Sequence, residues 1–198
     1  MQLILASTSR YRAELLSRLD LEFTTAAPEV DETPLPDEPA RDLVARLSLA
    51  KARAVASNRT GKDDALVIGS DQVALLGSRI LGKPGTPERA IAQLEALSGN
   101  TVKFLTGLAL LDTRDNTHQR AVIITPVNFR QLSTDQITDY VTREQPLDCA
   151  GAFKSEALGV AMFSSMGGED PTALIGLPLI ELCSMLERAG HPVLGSSR

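Results

Sequence analysis

The sequence predicts an α/β fold in which helices flank a central sheet in layers. Apolar runs of strand length alternate along the chain with segments of helical periodicity, a pattern typical of layered α/β domains. The 198 residues, 43% hydrophobic and 23% charged, are sufficient to bury a substantial core. We therefore expect residues 1–198 to form one domain, or two tightly joined lobes.

Apolar runs predict strands at residues 3–6, 21–25, 65–69, 102–111 and 121–129. The last two runs flank the turn-like residues 113–116, which favours an antiparallel hairpin. Because the other strands alternate with helices, the sheet is predicted to be mixed.

Helical periodicity predicts helices over residues 10–19 and 40–56, between Thr86 and Gly99, after Ser133, and over residues 177–189. The third helix has clear end signals, because Thr86 is a preferred cap, Pro87 suits the first turn and Gly99 ends the pattern. Ser133, with Gln136 three residues later, matches a capping box. The Pro-rich stretch 30–39 is predicted to be an exposed loop.

Charge and hydropathy exclude several classes of protein. A formal net charge of −5 argues against a general nucleic-acid binder, which needs a basic surface to neutralise phosphates. No apolar run approaches the roughly 18 residues that span a bilayer, and Met1 leads directly into a strand-like segment. We therefore expect a cytoplasmic protein with no membrane or nucleic-acid partner. The oligomeric state is left open, a homodimer included.

The cysteines and histidines do not indicate a metal site. Cys149 and Cys183 are far apart and lie among apolar neighbours, which favours buried free thiols over a disulfide or zinc site. His118 and His191 have no partners at metal-ligand spacing, and we expect both to be ordinary surface residues.

One candidate site lies where the first strand runs into the first helix, at Ser7, Ser9 and Arg12. A helix N-terminus presents unpaired backbone N–H groups and a partial positive charge, and the forked guanidinium of Arg12 matches phosphate oxygens. These residues therefore predict a phosphate-binding site. The alternative is simple helix capping beside a surface arginine.

Asp71 is a second candidate, because it stands in the polar residues 69–72 inside a long apolar run. A buried carboxylate is costly unless it is paired, hydrogen-bonded or metal-bound. We expect Asp71 at the end of a central strand, as a general base or a metal ligand. The alternative is a turn residue between two exposed strand ends.

Two lysines are candidates for phosphate contacts. Lys83 is presented by a loop of glycine and proline, which does not match the order of a P-loop. Lys51 shares a helix face with Val44, Leu47 and Val55, so its stem is predicted to be buried and its amine to point to a particular partner. The alternatives are a solvated turn lysine and an amine that extends to water.

Two further segments contain carboxylates. The acidic loop 28–33 is a candidate for binding Mg²⁺ through its carboxylates, although such loops are usually only solvated. Residues 149–156 form a turn of small residues that ends in Glu156. This turn allows a ligand to approach the backbone, or is an ordinary loop.

Together these segments resemble the Maf family of nucleotide pyrophosphatases, from Leu3 to the last helix near Arg188. The resemblance is carried by Leu-Ile-Leu-Ala-Ser-Thr-Ser at 3–9, Ala-Pro-Glu-Val-Asp-Glu-Thr at 27–33, Gly-Lys-Pro at 82–84 and Gly-Leu-Pro-Leu at 176–179. Gly-Ser-Asp-Gln-Val at 69–73 and Phe-Lys-Ser-Glu at 153–156 are similar to the branch that hydrolyses 7-methyl-GTP.

The resemblance implies a strongly twisted sheet, two lobes around a deep cleft, and a divalent cation, Mg²⁺ or Mn²⁺. It implies that Asp71 is the proton acceptor. The residues implied around the triphosphate and its metal are Arg12, Glu32, Lys51 and Lys83, with Glu32 and Asp71 as metal ligands. Substrate selection is implied at Tyr11, Gln72 and Glu156.

Physical chemistry supports two of these selection roles. The ring of 7-methylguanine is cationic and is attracted to an aromatic face such as that of Tyr11. Glu156 is suited to accept the two N–H groups on the Watson–Crick edge of guanine. The branch usually has tryptophan in place of Tyr11 and proline in place of Arg10. The alternatives are an enzyme that prefers dTTP, UTP or inosine triphosphate, and a non-catalytic nucleotide-binding regulator of cell division.

Overall fold

The structure is a computed structural model that describes residues 1–59 and 63–195. The strands are β1 (Gln2–Ala6), β2 (Thr24–Ala26), β3 (Ala65–Leu76), β4 (Arg79–Leu81), β5 (Thr101–Asp112), β6 (His118–Phe129) and β7 (Phe163–Met166). The helices are α1 (Arg10–Ser17), α2 (Ala40–Ser57), α3 (Pro87–Leu97), α4 (Thr134–Glu144) and α5 (Leu179–Arg188). Short 3₁₀ helices span Ala150–Ala152, Leu158–Met162 and Ala173–Ile175.

The strands form one sheet in the order β2-β1-β3-β5-β6-β7, and β4 pairs with β3. β1 runs parallel to both neighbours, so that Leu5 is paired with Thr25 on β2 and with Ile68 on β3. β4 is antiparallel to β3, and β7 is antiparallel to β6. The predicted α/β class and the mixed sheet are therefore confirmed.

β5 and β6 form the predicted hairpin. The N–H of Asp112 donates to the carbonyl of Thr117 over 2.9 Å at one end of the pair. At the other end, the N–H of Gly99 donates to the carbonyl of Arg130, also over 2.9 Å. Neighbouring strands joined by so short a connection run antiparallel, because a parallel pair needs a crossover of a dozen or more residues.

Helix ends with specific side-chain signals are where the sequence predicts them. The hydroxyl of Thr86 accepts from the N–H of Arg89, which starts α3. Before α4, Ser133 and Gln136 form both bonds of the capping box, over 2.9 and 3.2 Å. The strands β4 and β7 and the 3₁₀ helices were not predicted, because each is too short to show a periodic pattern.

The chain divides into two compact units. The first unit comprises residues 1–71, 106–123 and 170 onward, and the second comprises residues 72–105 and 124–169. In the first unit, leucines of β1, α1 and α5 dominate a buried core. In the second, the ring of Phe153 contacts three other rings, those of Phe104, Phe129 and Phe163. That residues 1–198 act as a single domain stays a prediction.

Two expectations from composition are also tested. Among the described residues, no helix has both the length and the hydrophobicity that crossing a membrane requires. Cys149 and Cys183 are free, as predicted, but half-buried rather than buried. Burial raises the pKa of the Cys149 thiol to about 12, which keeps it in the unreactive thiol form.

Candidate active site

The predicted phosphate site lies where β1 passes into α1. Ser9 is the cap of α1, and its hydroxyl accepts from the N–H of Arg12 over 3.5 Å. Ser7 is buried, and its hydroxyl accepts from the N–H of Ser9 over 3.1 Å and from Nη1 of Arg12 over 3.5 Å. Nε of Arg12 donates to the carbonyl of Gly176 over 2.9 Å. Arg12 is therefore fixed within the first unit, and the alternative of a surface arginine is wrong.

Lys51 of α2 joins two of the predicted carboxylates. Its Nζ lies 2.7 Å from Oδ1 of Asp71 and 2.6 Å from Oε1 of Glu32. The side chains of Lys51 and Asp71 are only 8% and 10% exposed, whereas that of Glu32 is 57% exposed. The amine does not extend to water, so the prediction of a particular partner for Lys51 is confirmed.

Arg12 belongs to the same electrostatic group. Burial lowers the pKa of the Arg12 guanidinium, and the negative charges of Asp71 and Glu32 act in the opposite direction. Burial and nearby carboxylates have opposed effects on a cation, because desolvation disfavours its charge and anions favour it. We call Arg12, Glu32, Lys51 and Asp71 the charged cluster. All four belong to the first unit.

Asp71 does not end a strand. β3 continues through it from Ala65 to Leu76, so both the expected position at a strand end and the alternative turn are wrong. The polar residues are tolerated inside the strand because each has partners. The hydroxyl of Ser70 lies 2.9 Å from the carbonyl oxygen of Gly107 and 2.8 Å from that of Gly176, and Lys51 neutralises Asp71.

Glycines bring α2 against the sheet and thereby position Lys51. A Cβ atom at Gly69 would clash with the carbonyl oxygen of Ser48 and would stand 3.0 Å from the backbone nitrogen of Ala52. Only glycine permits this approach of helix backbone to strand backbone. Lys51, between these two helix residues in the sequence, is thus carried to the strand that bears Asp71.

The acidic loop is tied to α2 rather than simply solvated. Arg46 forms a forked pair with Glu38, with two N···O distances of 2.7 Å, and its Nη2 donates to the carbonyl of Thr33 over 3.2 Å. Hydrogen bonds from Arg46 hold the pKa of Glu38 well below its usual range, at about 2. Thr33 and Glu38 both follow Glu32 in the chain, and their contacts restrict the loop from which Glu32 reaches Lys51.

Lys83 belongs to the second unit and is exposed. The residues on either side of its loop are held by backbone hydrogen bonds. The carbonyl of Gly82 accepts from the N–H of Gly151 over 3.4 Å, and the N–H of Gly85 donates to the carbonyl of Leu147 over 3.0 Å. The structure therefore brings the Lys83 loop beside the segment that leads to Glu156.

Gln72 and Glu156 also belong to the second unit. Glu156 is exposed, and Oγ of Ser155 donates to its Oε2 over 3.3 Å. Gln72 is half-buried on β3, two residues before Ala74, whose Cβ would stand 3.3 Å from a Cβ placed on Gly151. The part of β3 that follows Gln72 therefore packs against the segment that precedes Glu156.

Tyr11, the third predicted selection residue, lies on α1 in the first unit. The guanidinium carbon of Arg10 stands over its ring, 4.8 Å from the centroid. Nη2 of Arg10 also donates to the Tyr11 hydroxyl over 2.9 Å. The aromatic face predicted to attract a cationic base therefore already attracts a cation in this chain.

The predicted metal site is represented by two carboxylates. Glu32 and Asp71 both lie within hydrogen-bond distance of the Lys51 ammonium. Within residues 1–59 and 63–195, no group of three or more His, Cys, Asp and Glu side chains is arranged to hold a metal ion. Mg²⁺ prefers hard oxygen ligands and commonly takes only one or two carboxylates together with phosphate oxygens of a substrate. The donors present therefore fit such an ion.

Comparison with known proteins identifies the family. The family described as Maf-like protein matches residues 2–189. The chain belongs to the Maf family. The resemblance found in the sequence motifs is thereby confirmed over nearly the whole chain.

Three relatives of this Maf-family chain are named 7-methyl-GTP pyrophosphatase. The protein of Nitrosococcus oceani is 56% identical over 97% of this chain and 95% of its own length. That of Aromatoleum aromaticum is 53% identical over 96% of both chains. That of Burkholderia pseudomallei is 50% identical over 98% of this chain and 91% of its own length.

Several residues that support the site were missed in the sequence. Ser70 precedes Asp71 and Gly176 lies in a family motif. The sequence therefore draws attention to both residues but assigns a role to neither. Gly176 has a φ of 120°, which favours glycine, and its carbonyl accepts from Arg12 and lies beside Ser70. Nothing in the sequence distinguishes Arg46, because a charged residue on a helix is usually solvated.

Proposed function

We propose that this chain is a nucleoside triphosphate pyrophosphatase that hydrolyses 7-methyl-GTP to 7-methyl-GMP and diphosphate, thereby removing a modified nucleotide from the cellular pool. The proposal is supported by relatives of 50 to 56% identity that bear this name. The single observation that carries it is the buried contact between Lys51 and Asp71, because a protein maintains such a buried pair at a cost in desolvation.

Asp71 is assigned the role of proton acceptor. Its Oδ1 is oriented by the Lys51 ammonium over 2.7 Å, and we assign Oδ2 to the proton of the attacking water. The oxygen of this water forms a bond to the α-phosphorus as the bond from that phosphorus to the bridging oxygen breaks. The electron pair of the broken bond leaves with diphosphate.

The positive groups are assigned to the phosphates. Arg12 presents a forked guanidinium beside the N-terminus of α1, where Ser7 and Ser9 order the turn. Lys51 and Lys83 add point charges that offset the charge developing on the leaving diphosphate. Because Nε of Arg12 is already held by Gly176, its guanidinium needs little reorganisation to serve this purpose.

A divalent cation, Mg²⁺ or Mn²⁺, is part of the proposal. Glu32 and Asp71 would hold it through carboxylate oxygens, with phosphate oxygens of the substrate and water as the other ligands. When bound, such an ion stabilises negative charge on the phosphates. Lys51 bridges the same two carboxylates and keeps them close together.

Tyr11, Gln72 and Glu156 are assigned to selection of the base. Tyr11 attracts the cationic ring of 7-methylguanine through its aromatic face. Glu156 accepts from the two N–H groups of the guanine edge, a pattern that pyrimidines do not present. Its exposed carboxylate is accessible to such a base. We also propose that the protein acts in the cytoplasm on this small-molecule substrate, as a monomer or a homodimer.

A panel of nucleotides tests the function. The purified protein is assayed with Mg²⁺ and inorganic pyrophosphatase, so that released diphosphate is measured as phosphate, on 7-methyl-GTP, GTP, dTTP, UTP and inosine triphosphate. The highest kcat/KM is expected for 7-methyl-GTP. A higher value for another triphosphate would reject the substrate, and no turnover of any triphosphate would reject the enzyme and favour a nucleotide-binding regulator.

A further inference from the structure

Helix α4 holds the segment that carries Glu156. Tyr140 and Glu144 are four residues apart and therefore lie on one face of the helix. The Tyr140 hydroxyl accepts from the backbone N–H of Lys154 over 3.0 Å. The Glu144 carboxylate accepts, through Oε2, from the backbone N–H of Leu158 over 3.1 Å. The two side chains thus bind the segment at two points that lie on either side of Glu156.

Lys154 adds a third bond to the same helix. Its side chain is only 10% exposed, and its Nζ donates to the backbone carbonyl of Glu144 over 2.6 Å. The Glu144 Oε1 atom lies 3.6 Å from this ammonium. A buried ammonium is costly without such partners. Glu144 therefore binds the segment through its carbonyl, through Oε1 and through Oε2.

Glu156 stands midway between the two bound residues, Lys154 and Leu158. The segment is compact, because a Cβ atom on Gly159 would clash with the carbonyl oxygen of Lys154. Its backbone is fixed on either side while the Glu156 carboxylate stays exposed. A carboxylate that accepts two N–H groups of one base must be placed to within a fraction of an ångström. The bonds from α4 supply this placement.

We propose that Tyr140 and Glu144 are positioning residues that set the preference for the guanine edge by holding Glu156 in place. The inference rests on the proposed function of Glu156 as a reader of the base. Neither residue needs to touch the substrate. Removing either one is therefore expected to change which nucleotide is bound, and to change it only while Glu156 is present.

A double-mutant cycle on nucleotide binding tests the coupling. The dissociation constants of 7-methyl-GMP and UMP are measured for wild type, Glu144→Ala, Glu156→Gln and the double variant. Each single change is expected to reduce the preference for 7-methyl-GMP about tenfold, as expected for the loss of one charge-assisted hydrogen bond. In the Glu156→Gln background, Glu144→Ala is expected to reduce it no further. Tyr140→Phe is expected to act in the same direction as Glu144→Ala.

The matched control is Asp139→Ala, which removes an exposed carboxylate from the same helix. Among the described contacts of its side chain, this carboxylate pairs only with Arg143. It is expected to leave the preference unchanged. Hydrogen exchange of the Leu158 amide gives a readout that does not depend on nucleotides. This exchange is expected to be faster in Glu144→Ala than in wild type and unchanged in Asp139→Ala.

The outcomes separate the two proposals. If Glu156→Gln reduces the preference and Glu144→Ala does not, the positioning role is rejected and the role of Glu156 stands. Unchanged exchange of the Leu158 amide in Glu144→Ala would also reject it. If Glu156→Gln leaves the preference unchanged, base reading by Glu156 is rejected, and positioning with it. Because binding of products is measured, a protein without turnover would reject only the proposed reaction.

Discussion

The two units hold their candidate site residues in different ways. In the first unit, Lys51 and Asp71 are buried and contact each other directly through charged side chains. In the second unit, Lys83 and Glu156 are exposed, and the backbone around each of them is bound instead. The stability of a buried charged side chain depends on its partner, whereas the role of an exposed one depends on where the backbone places it. Changes to the buried pair of Lys51 and Asp71 are therefore expected to abolish the reaction, and changes at the exposed Glu156 to alter selectivity.

The largest effect is expected from Asp71→Asn. A small effect of this change would contradict the comparison of the two units. The amide keeps the shape of the side chain but does not accept a proton from water, so kcat is expected to fall about a thousandfold. Steady-state hydrolysis of 7-methyl-GTP measures this. Asp139→Asn, at an exposed position on α4, is the control and is expected to keep full activity. Comparable rates for the two variants would remove Asp71 from the mechanism.

Lys51→Met tests whether the buried residues of the charged cluster depend on one another for stability. The change leaves Asp71 buried without the Lys51 ammonium. We expect the free energy of unfolding to fall by about 3 kcal/mol. This is the low end for a broken buried pair, because Arg12 stays near Asp71. Urea denaturation measures the loss. The double variant Lys51→Met/Asp71→Asn is expected to recover part of it. An exposed lysine, Lys103, is the control, since Lys103→Met is expected to change stability little.

The pH dependence of stability sharpens the comparison within the first unit, at Glu38, which follows the acidic loop. Arg46 lowers the pKa of Glu38 from 4.5 to about 2, so the pair stabilises the folded state fully above pH 4.5 and loses this effect as the pH falls to 2. Glu38→Gln is therefore expected to be less stable than wild type at pH 7, and the difference is expected to disappear near pH 2. Denaturation at several pH values measures it. Glu29→Gln, at an exposed position in the acidic loop, is the control and is expected to change the free energy of unfolding little at pH 7.

Local signals in the sequence predict much of the fold. The caps at Thr86 and Ser133 involve residues three positions apart, so both helix starts are encoded in neighbouring residues. The hairpin of β5 and β6 likewise depends on a short turn. The sequence marks each of the four residues of the charged cluster as a candidate, and the structure brings those four together.

Long-range contacts account for what the sequence does not predict. The polar residues around Asp71 have the composition of a turn, yet they continue β3 because partners distant in the sequence satisfy them. Ser70 lies beside the carbonyls of Gly107 and Gly176, which are 37 and 106 residues away. The contacts of Tyr140 and Glu144 with residues 154–158 are of the same kind. Neither residue has a local pattern that distinguishes it from an ordinary helix residue.

The smallest effect is expected at Arg10, in the first unit but outside the charged cluster. Its guanidinium stands over the Tyr11 ring, 4.8 Å from the centroid, and repels a cationic base. Arg10→Gln is expected to raise the ratio of kcat/KM for 7-methyl-GTP over GTP about threefold, since exposed cation–π contacts are weak. Arg10 also attracts the triphosphate, but both substrates carry this group, so the attraction cancels in the ratio. Arg18→Gln, directly after the same helix, is the control. A ratio that fell in Arg10→Gln would show that Arg10 supports the base instead.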